Sequence, residues 1–204
     1  FLRDRINAER DARVAAGKVD ALEKAEMAQV LALVNDLEPY RRWADPLLRQ
    51  AADDSAKPAS ERLRASLALL PSEPQRAADV FAALADADPR DLPVLVEALA
   101  PRAETLRETL WTMAQGPKRL RAAAMLARLE PESEPWKGIA KEVAADLVRE
   151  NPVYLGAWSE LLRPARRVLA EPLAAIFADA NPDRASERSL ATNLLTDWAA
   201  DDSA

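Results

Sequence analysis

The chain has 204 residues, 49% of them hydrophobic and 30% charged, with a net charge of −6, a balance that suits a soluble globular chain with a sizeable core. Cysteine and histidine are both absent, which excludes disulfides, thiol nucleophiles, the usual zinc sites and any mechanism that needs imidazole. The negative balance argues against a general nucleic-acid binder, whose affinity rests on neutralising phosphates, and no segment approaches the ~20 apolar residues of a membrane span.

Residues 1–25 read as a leading helix, alanine-rich and charged, with Ile6, Val14, Val19 and Leu22 as its larger apolar residues and Gly17 as a point of interruption. The start Phe1-Leu2, followed by Arg3, Arg5, Arg10 and Arg13, is open to two readings: the edge of a membrane span just upstream, or an arbitrary fragment boundary. No pattern of basic head, apolar middle and small-residue cleavage site marks a signal peptide.

From residue 26 the chain repeats itself. Val30, Leu33, Val34 and Leu37 fall at i, i+3, i+4 and i+7, and the same slots hold Leu92, Leu95, Val96 and Leu99, then Leu155, Trp158, Ser159 and Leu162. This is one face of an amphipathic helix in three copies. Pro39, Pro101 and Pro164 follow these helices at intervals of roughly 62 residues, a spacing that points to stacked supersecondary units. Proline disfavours a helical residue before it and suits the first turn of the next helix, so each marks a helix–helix corner.

A second helix places Ala44, Leu106 and Leu169 in one buried slot and Leu48, Leu110 and Leu173 in another. A third puts Ala65, Ala122 and Ala191 in a small slot that suggests close helix approach, with Ser60 and Ser186 in N-cap positions before Glu61 and Glu187. A fourth opens at Ser72-Glu73-Pro74 and Ser133-Glu134-Pro135, read as a cap followed by an early-turn proline, and closes before Asp88-Pro89 and Asn151-Pro152. The third copy has no fourth helix. The divisions are therefore a leading helix at 1–25 and repeat units at 26–88, 89–151 and 152–204, the last incomplete. Only four glycines occur, and the fifteen prolines act as punctuation at the joints. The joins at Asp53–Pro58, Gln115–Pro117 and Asp179–Asp183 differ in length, as loops do at the binding edge of repeat proteins.

The run Leu37–Leu48, the run Arg62–Pro71, and the run Glu187–Leu195 with Ala199-Ala200-Asp201-Asp202 resemble the helical repeat region of large bacterial multidomain proteins. In those proteins a serine/threonine kinase domain, often with a membrane span, is joined through such repeats to a formylglycine-generating-enzyme-like or other sensor domain. The resemblance implies a spacer or interaction module, with no catalytic residue, no cofactor and no metal. The kinase's glycine-rich loop, His-Arg-Asp and Asp-Phe-Gly are absent.

The expected fold is all-α, a right-handed α-α superhelix of HEAT-like hairpins with eleven or twelve helices, working as a non-catalytic scaffold for a protein partner or another domain of the same chain. Its candidate contact residues are Arg41, Arg42, Arg102, Arg163, Arg166 and Arg167, which stacking could align along one edge, and Trp136 beside the Pro135 joint. The arginines either grip acidic or phosphorylated segments through bidentate contacts or pair with carboxylates of neighbouring helices. Trp136 either meets a partner or packs. Trp158, in the slot of Leu33 and Leu95, belongs to the core. The carboxylates Asp53-Asp54, Asp86 with Asp88, and Asp201-Asp202 read as capping and solubility groups. A nucleic-acid-binding helical repeat of DNA-repair type is the rival reading; it requires the arginines to converge in a groove with an unpaired aspartate and an exposed tryptophan.

Overall fold

The computed structural model describes residues 2–200, in which twelve α-helices are joined by turns and short 3₁₀ segments, with no strand among the described residues. In chain order the helices are α1 (Leu2–Lys24), α2 (Val30–Asp36), α3 (Arg41–Asp53), α4 (Ala59–Leu69), α5 (Ala77–Leu84) and α6 (Leu92–Leu99). They continue as α7 (Ala103–Met113), α8 (Arg119–Leu129), α9 (Ala140–Leu147), α10 (Leu155–Leu162), α11 (Arg166–Phe177) and α12 (Ala185–Ala199). The chain forms two compact units, one running to Leu84 with Glu97–Leu99, the other made of Ala85–Val96 and the chain from Ala100 onward.

In the first unit α3 and α4 pack against each other and α1 lies against both, while α2 and α5 add to α4. Residues 65–70 of α4 and its C-terminal edge are buried without a break, so the C-terminal half of this helix is enclosed on every side. Its own Leu67 and Leu69, with Leu22, Leu37, Leu48 and Leu84 from other parts of the unit, are all at 2% exposure or less; each such leucine contributes about 1.5–3 kcal/mol on burial. Gly17 does not interrupt α1. A mid-helix glycine costs only about 1 kcal/mol relative to alanine, and buried Ala15, Val19 and Leu22 fix the helix against its neighbours.

In the second unit α8 packs against α7, α9 and α10, and α11 against α9 and α12. Ala122–Ala127 of α8 are all fully buried. The alanines let three neighbouring backbones approach closely, as the small slot at Ala122 predicts. Trp136 and Trp158 are the largest fully buried side chains of this unit, and Trp111 meets Trp136 edge to face at 5.9 Å and 83°, a preferred aromatic geometry.

Pro39, Pro101 and Pro164 each sit at the centre of a 3₁₀ turn, at Glu38–Tyr40, Ala100–Arg102 and Arg163–Ala165. Proline does not confine itself to joints, however: Pro46 lies inside α3 and Pro172 inside α11. The expected serine caps also differ. Ser60 and Ser186 stand inside α4 and α12, whose first residues come earlier, and Ser72 and Ser133 accept no capping N–H. Ser72 Oγ instead donates to the Leu69 carbonyl at 3.2 Å. The side chains that do cap are Asn151 and Asn181, which accept from the Val153 and Asp183 N–H groups at 3.0 Å each.

Candidate functional site

The arginines singled out by the sequence have three different fates. In the first unit Arg41 turns inward: its side chain is 16% exposed, and its guanidinium donates to Glu38, to Asp45 and to the Ala68 carbonyl of α4. It fastens α3 to α4. Arg42 is exposed and lies 5.7 Å from the centroid of the Trp43 ring. In the second unit Arg163 donates to Glu160 at 2.7 Å and to Asp197 of α12 at 2.9 Å. Arg102 and Arg166 are half-buried, each with an interaction inside the protein. Arg167 alone of these lines a sizeable cavity. Its pair with Glu132, at 3.0 Å, is fully on the surface, with side chains 77% and 70% exposed.

Trp136 is wholly buried, and its Nε1 donates to the Glu130 carbonyl at 2.9 Å. It packs and is not a surface contact, because the Glu134–Gly138 3₁₀ segment turns the indole inward against Trp111. Trp158 is likewise buried; Arg121 covers its ring at 5.6 Å and its Nε1 donates to Glu150 at 3.3 Å.

The paired carboxylates hold their own chain. Asp53 takes a two-point contact from Arg76 at 2.7 and 3.1 Å, which draws its carboxyl below the usual aspartate range. Asp54 accepts the Ala56 N–H at 2.9 Å, and Asp86 pairs with Lys118. Asp88 binds Arg90 through side chain and backbone, which together with the Tyr154 hydroxyl hold its pKa at about 2. Asp201 and Asp202 lie outside the described residues. No group of three or more acidic side chains among the described residues is arranged to hold a metal ion.

A groove of about 720 Å³ lies between α9 and α11. Its floor is small and apolar, with Ala145, Val168, Pro172, Ala175 and Ile176. Its rim carries Lys137, Lys141, Arg167 and Arg184 against a single carboxylate, Glu171. Pro172 lies inside α11 and has no N–H, so the Val168 carbonyl lacks the donor that a continuous helix would supply four residues on. Arg184 is neutralised where it stands by Asp179 at 2.6 Å and by Glu187. Lys137 pairs with Glu134 at 2.8 Å, both side chains at least 75% exposed.

Of the residues around this groove, the sequence singles out Arg167 and not Lys137, Lys141 or Pro172. Lys137 lies in the 3₁₀ segment before α9 and Lys141 in the first turn of α9. What joins them to Arg167 is the packing of α9 on α11, which no local pattern announces. A second cleft, about 500 Å³, is lined by Arg119, Arg121 and Arg149 with Asp146 and Glu150; Arg119 is tied to Asp146 at 2.6 Å. A third, about 470 Å³, opens between α10 and α12 beside Ser159 and Asp197. No described helix is long and apolar enough to cross a membrane. The chain matches no protein-family model, no curated protein and no solved structure.

Proposed function

We propose that the chain is a non-catalytic helical-repeat scaffold, a right-handed HEAT-like solenoid of three units of roughly 62 residues, which holds a protein partner or another domain of the same polypeptide. One observation carries the reading. The order of helix, proline-centred 3₁₀ turn, helix recurs three times, beginning at Val30, Leu92 and Leu155, and most of the slots that repeat in sequence are buried, among them Val30, Leu92, Leu37, Leu99, Leu162, Ala65, Ala122 and Ala191, while Leu33, Leu106 and Leu155 are half-buried.

The chemistry of the surface agrees with a binding role. Of the candidate arginines, Arg41, Arg163 and Arg167 are paired with carboxylates of the chain, while Arg42 is exposed beside the Trp43 ring. The likeness of its helical runs to repeat regions of bacterial kinase and formylglycine-generating-enzyme-like proteins extends the proposal to a place in a multidomain signalling protein.

Crosslinking in the native cell with a lysine-reactive reagent, read by mass spectrometry, tests this. The scaffold reading expects links from this chain to one recurring segment, in another protein or elsewhere in its own polypeptide. Self-links alone would reduce the chain to a passive spacer. Tight, salt-sensitive DNA binding by the purified chain would favour the nucleic-acid reading instead.

A further inference from the structure

We infer that the outer face of α12 closes the repeat: it faces water and receives neither a fourth helix nor the end of a second copy, whatever chain lies beyond it, so that a partner meets the sides of the repeat and not this end. The inference rests on the repeat reading proposed above and adds where binding does not occur. Three observations carry it.

The first is a pattern of residue exchange. With Ala122 and Ala191 in the same slot, Leu120, Ala123, Ala124 and Ala127 of α8 correspond to Ser189, Thr192, Asn193 and Thr196 of α12. Those positions stand at i, i+3, i+4 and i+7, one stripe of a helix. In α8 all four are buried, at 4% exposure or less. In α12 all four are polar and exposed. The whole stripe has changed class together.

The second is the set of neighbours. α8 packs against α7, which precedes it, and against α9 and α10, which follow it. α12 packs against α10 and α11, both of which precede it. At 3.6 residues per turn the polar stripe lies opposite Ala191, Leu194 and Trp198, the residues that α12 buries.

The third is the chemistry that a covering helix would meet. α9, the helix that follows α8, buries Ala140, Val143, Ala144 and Leu147. Laid on the α12 stripe, such a surface would strip water from three hydroxyls and an amide and offer no donor or acceptor in return. A polar outer face is what the last unit of a stacked-repeat protein needs to stay soluble.

The test appends a copy of Ser133–Val148, which spans α9 and the turn before it, to the intact chain at Ala204 through a short glycine–serine linker. The same extension is made on the variant Ser189→Leu, Thr192→Ala, Asn193→Ala, Thr196→Ala, which restores the residues of α8. These changes raise helix propensity at exposed positions, and circular dichroism establishes that the variant keeps its helix content. On the native chain the appended segment should exchange its amide hydrogens about as fast as unfolded chain, and on the variant at least about tenfold more slowly. In sedimentation without the extension, Thr192→Arg with Thr196→Arg should leave the association state of the native chain unchanged.

Protection of the appended segment on the native chain overturns the inference. So does a self-association that the arginine pair abolishes. Equal freedom of the segment on both chains overturns it as well, because the polar stripe would then not be what closes the face. Those outcomes leave the scaffold reading standing if native-cell crosslinks converge on one segment. The absence of any recurring crosslinked segment would instead remove the scaffold reading and leave the closed face of α12 untouched.

Discussion

The helices α8 and α12 occupy the same slot of the sequence repeat, and they meet their surroundings in opposite ways. α8 is hemmed in by α7, α9 and α10, and Ala122–Ala127 are buried without exception. α12 touches α10 and α11, buries Ala191, Leu194 and Trp198, and exposes Ser189, Thr192, Asn193 and Thr196. Residue choice follows the number of neighbours. Where three helices converge, side chains shrink to alanine so that backbones can approach. Where two converge, one stripe stays apolar and the rest turns polar.

The largest expected effect comes from creating a void in the enclosed helix. Leu126→Ala in α8 removes a fully buried side chain and should cost about 2–5 kcal/mol. Leu195→Ala in α12, at a half-exposed position, should cost well under half as much. Urea unfolding of the two variants provides the comparison. Equal losses would mean that α8 is no more tightly enclosed than α12.

The opposite error, too much volume, should separate the helices as clearly. Ala124→Leu forces extra methylene groups into a site at 0% exposure and should destabilise by about 1–3 kcal/mol. Thr192→Leu on the exposed face of α12 should stay within about 0.5 kcal/mol of the native chain. Thermal melts followed at the helical ellipticity would show both.

Between α10 and α12 the contact is polar, and it has a distinct signature. Ser159 stands in the slot that holds Val34 and Val96 in the other copies. Its hydroxyl donates to Asp197 at 2.5 Å and accepts from Trp198 Nε1 at 2.8 Å. Ser159→Val restores the apolar residue of the other copies but removes one of the two donors to Asp197, leaving Arg163, and reduces the indole's contacts to the Ser159 carbonyl. A loss of about 1–3 kcal/mol is expected, together with a shift in Trp198 fluorescence. A neutral or stabilising result would show that the hydroxyl is dispensable to the packing of α12.

How much of this was legible beforehand differs element by element. The helices and their proline corners follow from local pattern, since Val30, Leu37, Leu92 and Leu99 declare a buried stripe without reference to anything distant. The buried slot at Ala65, Ala122 and Ala191 was legible for the same reason. The caps were not: Ser60 and Ser186 have suitable chemistry, but Pro58 and the Pro182–Arg184 turn start the chain's helical winding earlier. The fate of the arginines was also hidden. Arg41 and Arg42 are adjacent and identical in type, yet one enters the α3–α4 contact and the other faces water. Only the rotational setting of α3 against α4 distinguishes them. The α9–α11 groove depends similarly on a pairing of helices distant in sequence.

The smallest effect is the most specific to α12. Its first turn is tied by ions: Glu187 receives Arg184 and Arg149, and Arg184 also reaches Asp179. The Arg184 contact first, and Arg149 beyond it, hold the Glu187 carboxyl below its ordinary value of 4.5. The Asn181 backbone N–H and then Arg184 lower Asp179 below 3.8. A depressed carboxylate stabilises the fold fully above its unfolded pKa, and the contribution disappears as pH falls through the folded value. The start of α12 should therefore loosen below about pH 4.5, while α8, whose enclosed stretch Ala122–Ala127 carries no carboxylate, should respond only when the whole fold does. Hydrogen exchange resolved by residue between pH 6 and 3, converted to opening equilibria after correction for the intrinsic rate at each pH, would reveal this as a selective loss of protection at the N-terminal turn of α12. In Glu187→Gln that turn should already be less protected at neutral pH and should lose less on acidification. If the native chain instead loosens α8 and α12 together, the ionic ties contribute nothing local, and the packing of Ala191, Leu194 and Trp198 alone holds α12 in place.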